Sequence, residues 1–183
     1  MNAALLALYR HMTWATLRVI EHCQGLGDEH LDATIPGTYG TIRETLRHIV
    51  EAEQGYLSTL TREPFLSKEA AEAFVVPRPL PEGPVPLEEL AERIRRMGPR
   101  WEALAQDRDL PDREVTATDG WAFPAAIPMA QAIHHAGDHR TQVLSILGAR
   151  GLEEPGPDGL DLWGYAEVED LAHELPATLA DLK

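Results

Sequence analysis

The stretch AIHHAGDHRTQV, residues 132–143, carries three histidines in six positions: His134, His135 and His139. Imidazole titrates near neutral pH and is the commonest side-chain ligand for a divalent metal. On a helix, residues four apart lie about 40° from each other around the axis, on one face. His135 and His139 therefore point the same way, as two ligands of one ion must. His134 points well away and is expected in solvent. Ala132 and Ala136 leave space around the two rings. His48, in TIRETLRHIVEAE, borders an apolar stripe in a position that mirrors His135. If the two helices are neighbours, His48, His135 and His139 can converge. Three neutral imidazoles leave positions open for water or substrate, the pattern of a catalytic rather than a structural site. The pair alone has a simpler reading, a polar flank with water-bonded imidazoles.

The remaining histidines offer less. His11 and His22 share the first helix at no useful spacing, His30 sits in a turn beside acids, and His173 lies in the tail. Glu53 falls near the centre of an apolar stripe, where a carboxylate is costly unless paired or ligating. It either accepts from an imidazole N–H or bonds a buried arginine such as Arg140; the structural role is favoured. Asp138 points outward. Cys23 reads as a small core residue.

Four periodic segments must position these side chains. They are expected at about 3–24, 41–61, 87–106 and 126–149, with a tail over 151–183. Thr41 with Glu44 matches a capping box. Gly98-Pro99 is expected to kink or break the third helix. SKEAAEAF is a short amphipathic piece, and VPRPLPEGPVP an extended, stiff crossover. Val115, Ala117 and the Asp119-Gly120 pair predict a turn or small hairpin. The tail is expected to wrap the bundle and end in a short helix. The whole chain, 1–183, reads as one all-α domain, a four-helix bundle with long crossover connections. Crossovers of that length permit a topology other than simple up-down-up-down.

Composition excludes several classes. The net charge is −14, with 30 acids against 16 bases. Nucleic-acid affinity depends on bases neutralising phosphates, so no nucleic-acid partner is expected. No apolar run approaches the roughly 18 residues of a membrane span, and no signal peptide is expected. One cysteine permits no intrachain disulfide and fits a cytoplasmic protein. No phosphate-cradling loop, dinucleotide fingerprint or nucleophile elbow is present.

HIVEAE in the second helix and H-x-x-x-H-R-x-Q in the fourth (His135, His139, Arg140 and Gln142) resemble the DinB-like metalloenzyme family. The opening helix LYRHMTWATLRVI with Trp14, the loop TDGWAFP and the tail PGPDGLDLWGYA are similar to family features too. The likeness covers nearly the whole chain. It implies a bundle of unusual, crossover-containing topology, homodimers, and a divalent metal, typically zinc or nickel. Carried over, the ligands are His48, His135 and His139. Some relatives are transferases or isomerases using a low-molecular-weight thiol. The sequence departs at Thr141, where relatives commonly have glycine, a change expected to narrow the approach to the neighbouring helix.

The leading expectation is a divalent-metal enzyme acting on a small-molecule substrate by thiol transfer or hydrolysis. No general base stands out. The alternative is a non-catalytic metal- or small-ligand-binding stress-response protein. A third reading is a bundle with structural histidines that functions through dimer contacts.

Overall fold

Four long amphipathic helices bury one stripe each, and those stripes meet in a single hydrophobic cluster. The computed structural model describes residues 2–61, 80–117, 120–152, 155 and 158–172. Helix α1 spans Ala3–Cys23, α3 Ile42–Thr61, α4 Leu87–Gln106 and α5 Ala126–Ala149. A short α2 (Asp28–Leu31) lies in the first connection and α6 (Leu162–Val168) in the tail. Among the described residues the only strands are β1 (Glu114–Thr116) and β2 (Ala122–Pro124). They pair antiparallel, with Val115 opposite Phe123, as the expected small hairpin. Gly120 closes its turn at φ +89°, where a side chain would be strained. The fold is therefore all-α, apart from this hairpin. No described helix is long and apolar enough to cross a membrane.

Local signals fix the helix ends. Asn2 caps α1 by accepting from the Leu5 N–H at 3.2 Å. At α3, Thr41 Oγ1 accepts from the Glu44 N–H, and Glu44 accepts from the Thr41 N–H at 2.8 Å. This reciprocal box satisfies two donors that a helix start would otherwise leave open. Asp161 caps α6 through the Gly164 N–H. The tail then lies along α1, where His11 Nε2 meets the Leu160 carbonyl oxygen at 2.7 Å. SKEAAEAF, the first part of the proline-rich crossover, His173 and the last residues of the tail lie outside the described residues.

The packing order answers the topology question. α1 packs mainly on α4, and α3 mainly on α5; α3 also touches α4, and α1 touches α5. The first two long helices therefore sit diagonally, as do the last two. A simple up-down-up-down bundle would have made them neighbours.

Of the kink or break expected at Gly98-Pro99, the break does not occur: α4 runs through both residues. Proline removes one backbone hydrogen bond. Ile94, Met97 and Trp101, all fully buried, hold the helix to its neighbours on both sides of that gap. Gly98 itself faces Thr13 of α1, and an added Cβ would come within 3.0 Å of the Thr13 methyl group. The glycine permits the close α1–α4 approach rather than ending the helix.

Candidate metal centre

Helices α3 and α5 pack against each other, which brings His48 of α3 to His135 and His139 of α5. One ring nitrogen from each lies within 4.8 Å of the others. Ring centroids are 4.8 Å apart for His48–His135, 4.7 Å for His48–His139 and 4.3 Å for His135–His139. Nε2 of His48 and Nε2 of His135 lie 3.0 Å apart. At metal–nitrogen distances of about 2.1 Å, two ligands stand roughly 3.0 Å apart at 90° and roughly 3.4 Å at the tetrahedral angle. The His48–His135 pair matches this spacing, and the three-histidine group could hold a metal ion.

Electrostatics favour the ligand-competent form. Burial, then the nearby His139 and His48, pushes the His135 imidazole down to about 4. Burial, then His139, also lowers His48. Both side chains thus stay neutral where free histidine begins to protonate, and only a neutral imidazole can bind metal. The Nδ1 of His135 is buried, with no hydrogen-bond partner among the described residues.

His134 points into solvent and pairs with Asp138 at 3.1 Å on the outer face of α5, as their positions on the helix predicted. His11 is committed to the tail, and His30 stands 3.7 Å from Glu29. Cys23 is fully buried and its thiol is pushed up to about 12 by burial, as a core residue requires.

Residues 1–170 match the model of the DinB family. The chain belongs to the DinB family. The crystal structure of a DinB-like protein from Bacillus cereus ATCC 10987 is similar in fold, with a TM-score of 0.61 and 21% sequence identity. The match covers 85% of this chain and 99% of that one. No curated protein matches the chain.

In this DinB-family chain Thr141 does not narrow the α3–α5 approach. It is exposed, and its hydroxyl donates back to the Gly137 carbonyl at 3.1 Å. The helix face it occupies is not the packed one.

Sequence reasoning missed Tyr39 altogether and gave Gln142 no role. Tyr39 stacks on His48 at 4.0 Å between centroids, with 10° between planes, and meets His139 edge-on at 5.5 Å. Gln142 Oε1 accepts from the Tyr39 backbone N–H at 2.8 Å and lies 3.2 Å from His139 Nδ1. The available signal was an aromatic residue between Gly37 and Gly40, just ahead of the capping box. Beside His48 and Tyr39 opens a cleft of about 950 Å³. Its two arginines are already engaged: Arg43 with Asp28 and Asp32, and Arg47 with Glu51 and the Gly83 carbonyl.

Glu53 is buried, as expected, but accepts from neither an imidazole nor Arg140. Its Oε2 accepts from the Trp101 indole N–H at 3.3 Å, and its Oε1 has no partner among the described residues. Arg140 is also buried, and it donates instead to Thr16 Oγ1 at 3.1 Å. Burial pushes Glu53 up to about 7, against the opposing pull of Arg140 and the Trp101 hydrogen bond. The stability contribution of this raised carboxyl is full below its ordinary value of 4.5 and is lost as pH rises through about 7. His135 acts in the opposite sense. Its contribution is full above 6.5 and is lost as pH falls toward about 4. Between pH 4.5 and 6.5 the two slopes offset each other. In the metal-free protein, Glu53→Gln should therefore make stability climb more steeply over that range than in wild type. Urea midpoints at several pH values test this; parallel curves would exclude it.

Proposed function

We propose that the protein is a divalent-metal-dependent enzyme that acts on a small molecule, by thiol transfer or by hydrolysis. The proposed ligands are His48, His135 and His139, with zinc or nickel as the ion. The observation that carries the reading is the convergence of three imidazoles from two helices at the edge of an open cleft. Membership of the DinB family supports it. A bound ion supplies Lewis acidity and lowers the pKa of a coordinated water or thiol. The chain's own contribution is to keep His48 and His135 neutral by burial, to set the ring orientations and to leave one side of the site open. Tyr39 forms an aromatic wall of the cleft, stacked on His48.

The test is a panel of low-molecular-weight thiols with electrophilic substrates, run beside a panel of hydrolysable esters and amides. The enzyme is assayed as zinc-loaded, nickel-loaded and chelator-stripped protein. The expected result is turnover in one panel that disappears on stripping and returns with the ion. Stoichiometric metal binding with background rates in both panels would leave a non-catalytic metal-binding protein as the better description.

A further inference from the structure

We propose that Gln142 is a positioning residue that holds His139 in its Nδ1–H tautomer and clamps the Tyr39 loop onto the same imidazole cluster. The geometry leaves little freedom in assigning the atoms. The Tyr39 backbone N–H can only donate, so the Gln142 atom it faces at 2.8 Å is the carbonyl oxygen. That orients the amide without reference to the histidine. The same oxygen can only accept, and it lies 3.2 Å from His139 Nδ1. The ring proton must therefore sit on Nδ1, and the lone pair on Nε2, the nitrogen left for the cluster. A free imidazole favours the opposite tautomer, so this hydrogen bond selects the less common form.

The spacing makes the contact possible. Residues three apart on a helix are neighbours, and Gln142 follows His139 by three on α5. The second half of the device comes from across the fold. Residues 37–40 are shaped by Gly37 at φ +94° and by the Thr38 hydroxyl, which lies within hydrogen-bond distance of the Ile35 and Gly40 carbonyls. Tyr39 is 57% exposed, yet it lies flat on His48. Stacking alone is a small term for so exposed a side chain. The backbone tether to Gln142 fixes the loop's distance from α5. One amide therefore sets both the donor atom of His139 and the position of the aromatic wall over His48.

The consequence for the ion rests on the metal reading above; the tautomer and the loop tether do not. Hydrogen-bond partners behind ligating histidines typically contribute 10–100-fold in metal affinity. The test uses the metal-free full chain, with ring ¹⁵N NMR at pH 8 and amide hydrogen exchange. Wild type should show His139 protonated on Nδ1 and a protected Tyr39 amide. Gln142→Leu should lose both while keeping its helical circular dichroism. Gln142→Glu, which retains two acceptors, should restore both. Zinc titration should then give a Kd about 10–100-fold weaker for Gln142→Leu and within a few-fold of wild type for Gln142→Glu. A wild-type His139 protonated on Nε2, or a Gln142→Leu spectrum unchanged at His139, would overturn the proposal. The expected tautomer pattern without zinc binding by wild type would overturn the metal reading and leave the role of Gln142 standing.

Discussion

His139→Ala should lose stoichiometric binding of zinc or nickel, whereas His134→Ala, five residues earlier on the same helix, should not. His139 lies within the three-imidazole cluster, while His134 faces solvent beside Asp138. The affinity loss should exceed the roughly 10–100-fold typical for removing a group that merely supports a ligand. It should be visible in stability as well. An ion that binds only the folded state adds about 2.7 kcal/mol at a hundredfold excess over its Kd. For a chain of this size that corresponds to a rise of roughly 5–11 °C in Tm. Wild type and His134→Ala should show this rise, and His139→Ala should show almost none. The metal-free Tm of His139→Ala should stay near that of wild type, because the side chain is half-buried and its truncation opens toward solvent rather than leaving a sealed cavity. Elemental analysis of protein purified without a histidine tag, combined with thermal scans, measures both effects. Equal binding by all three proteins would remove His139 from the site.

That contrast between two histidines of one helix was legible in the sequence, because it depends only on helical period. The same holds for the four long helices and the Thr41–Glu44 box, whose causes lie within a few residues of each other. Convergence with His48 was legible only conditionally. It needed α3 and α5 to be neighbours, and nothing local specifies which helices pair across long crossovers. Tyr39 was invisible for the same reason: its anchor, Gln142, lies 103 positions away. At Gly98-Pro99 the break that a local rule about proline allows is absent because the rule met a tertiary contact. Buried neighbours hold α4 continuous, and the glycine is matched to Thr13 of another helix. Glu53 is a mixed case. Its burial followed from the apolar stripe, but its donor, Trp101, came from a different helix 48 residues on.

Trp101→Ala should be the most destabilising single change in the bundle core. Trp101 is fully buried on α4, and its side chain joins three helices. Its ring packs against Tyr9 of α1 at 4.9 Å between centroids, and its indole N–H donates to Glu53 of α3. Truncating a buried tryptophan to alanine typically costs 3–5 kcal/mol, from lost transfer energy and the cavity left behind. At this chain length the Tm should fall by roughly 6–20 °C. Trp101→Phe separates packing from polarity, because it keeps an aromatic ring against Tyr9 but removes the donor. The lost hydrogen bond should cost about 1–3 kcal/mol, since it leaves a buried carboxyl with less compensation. The sign of its pH dependence follows from the same contact. The Trp101 hydrogen bond lowers the Glu53 pKa, so its removal raises the Glu53 value further above the ordinary carboxylate range. The penalty in Trp101→Phe should therefore be small below pH 4.5, where the carboxyl is protonated in both states, and should grow as pH rises. Urea denaturation of both variants at pH 4.5 and pH 8 measures the two parts. A pH-independent loss in Trp101→Phe would assign the cost to packing alone. A loss below about 1 kcal/mol in Trp101→Ala would contradict the central placement of this residue, since surface substitutions rarely exceed half that value.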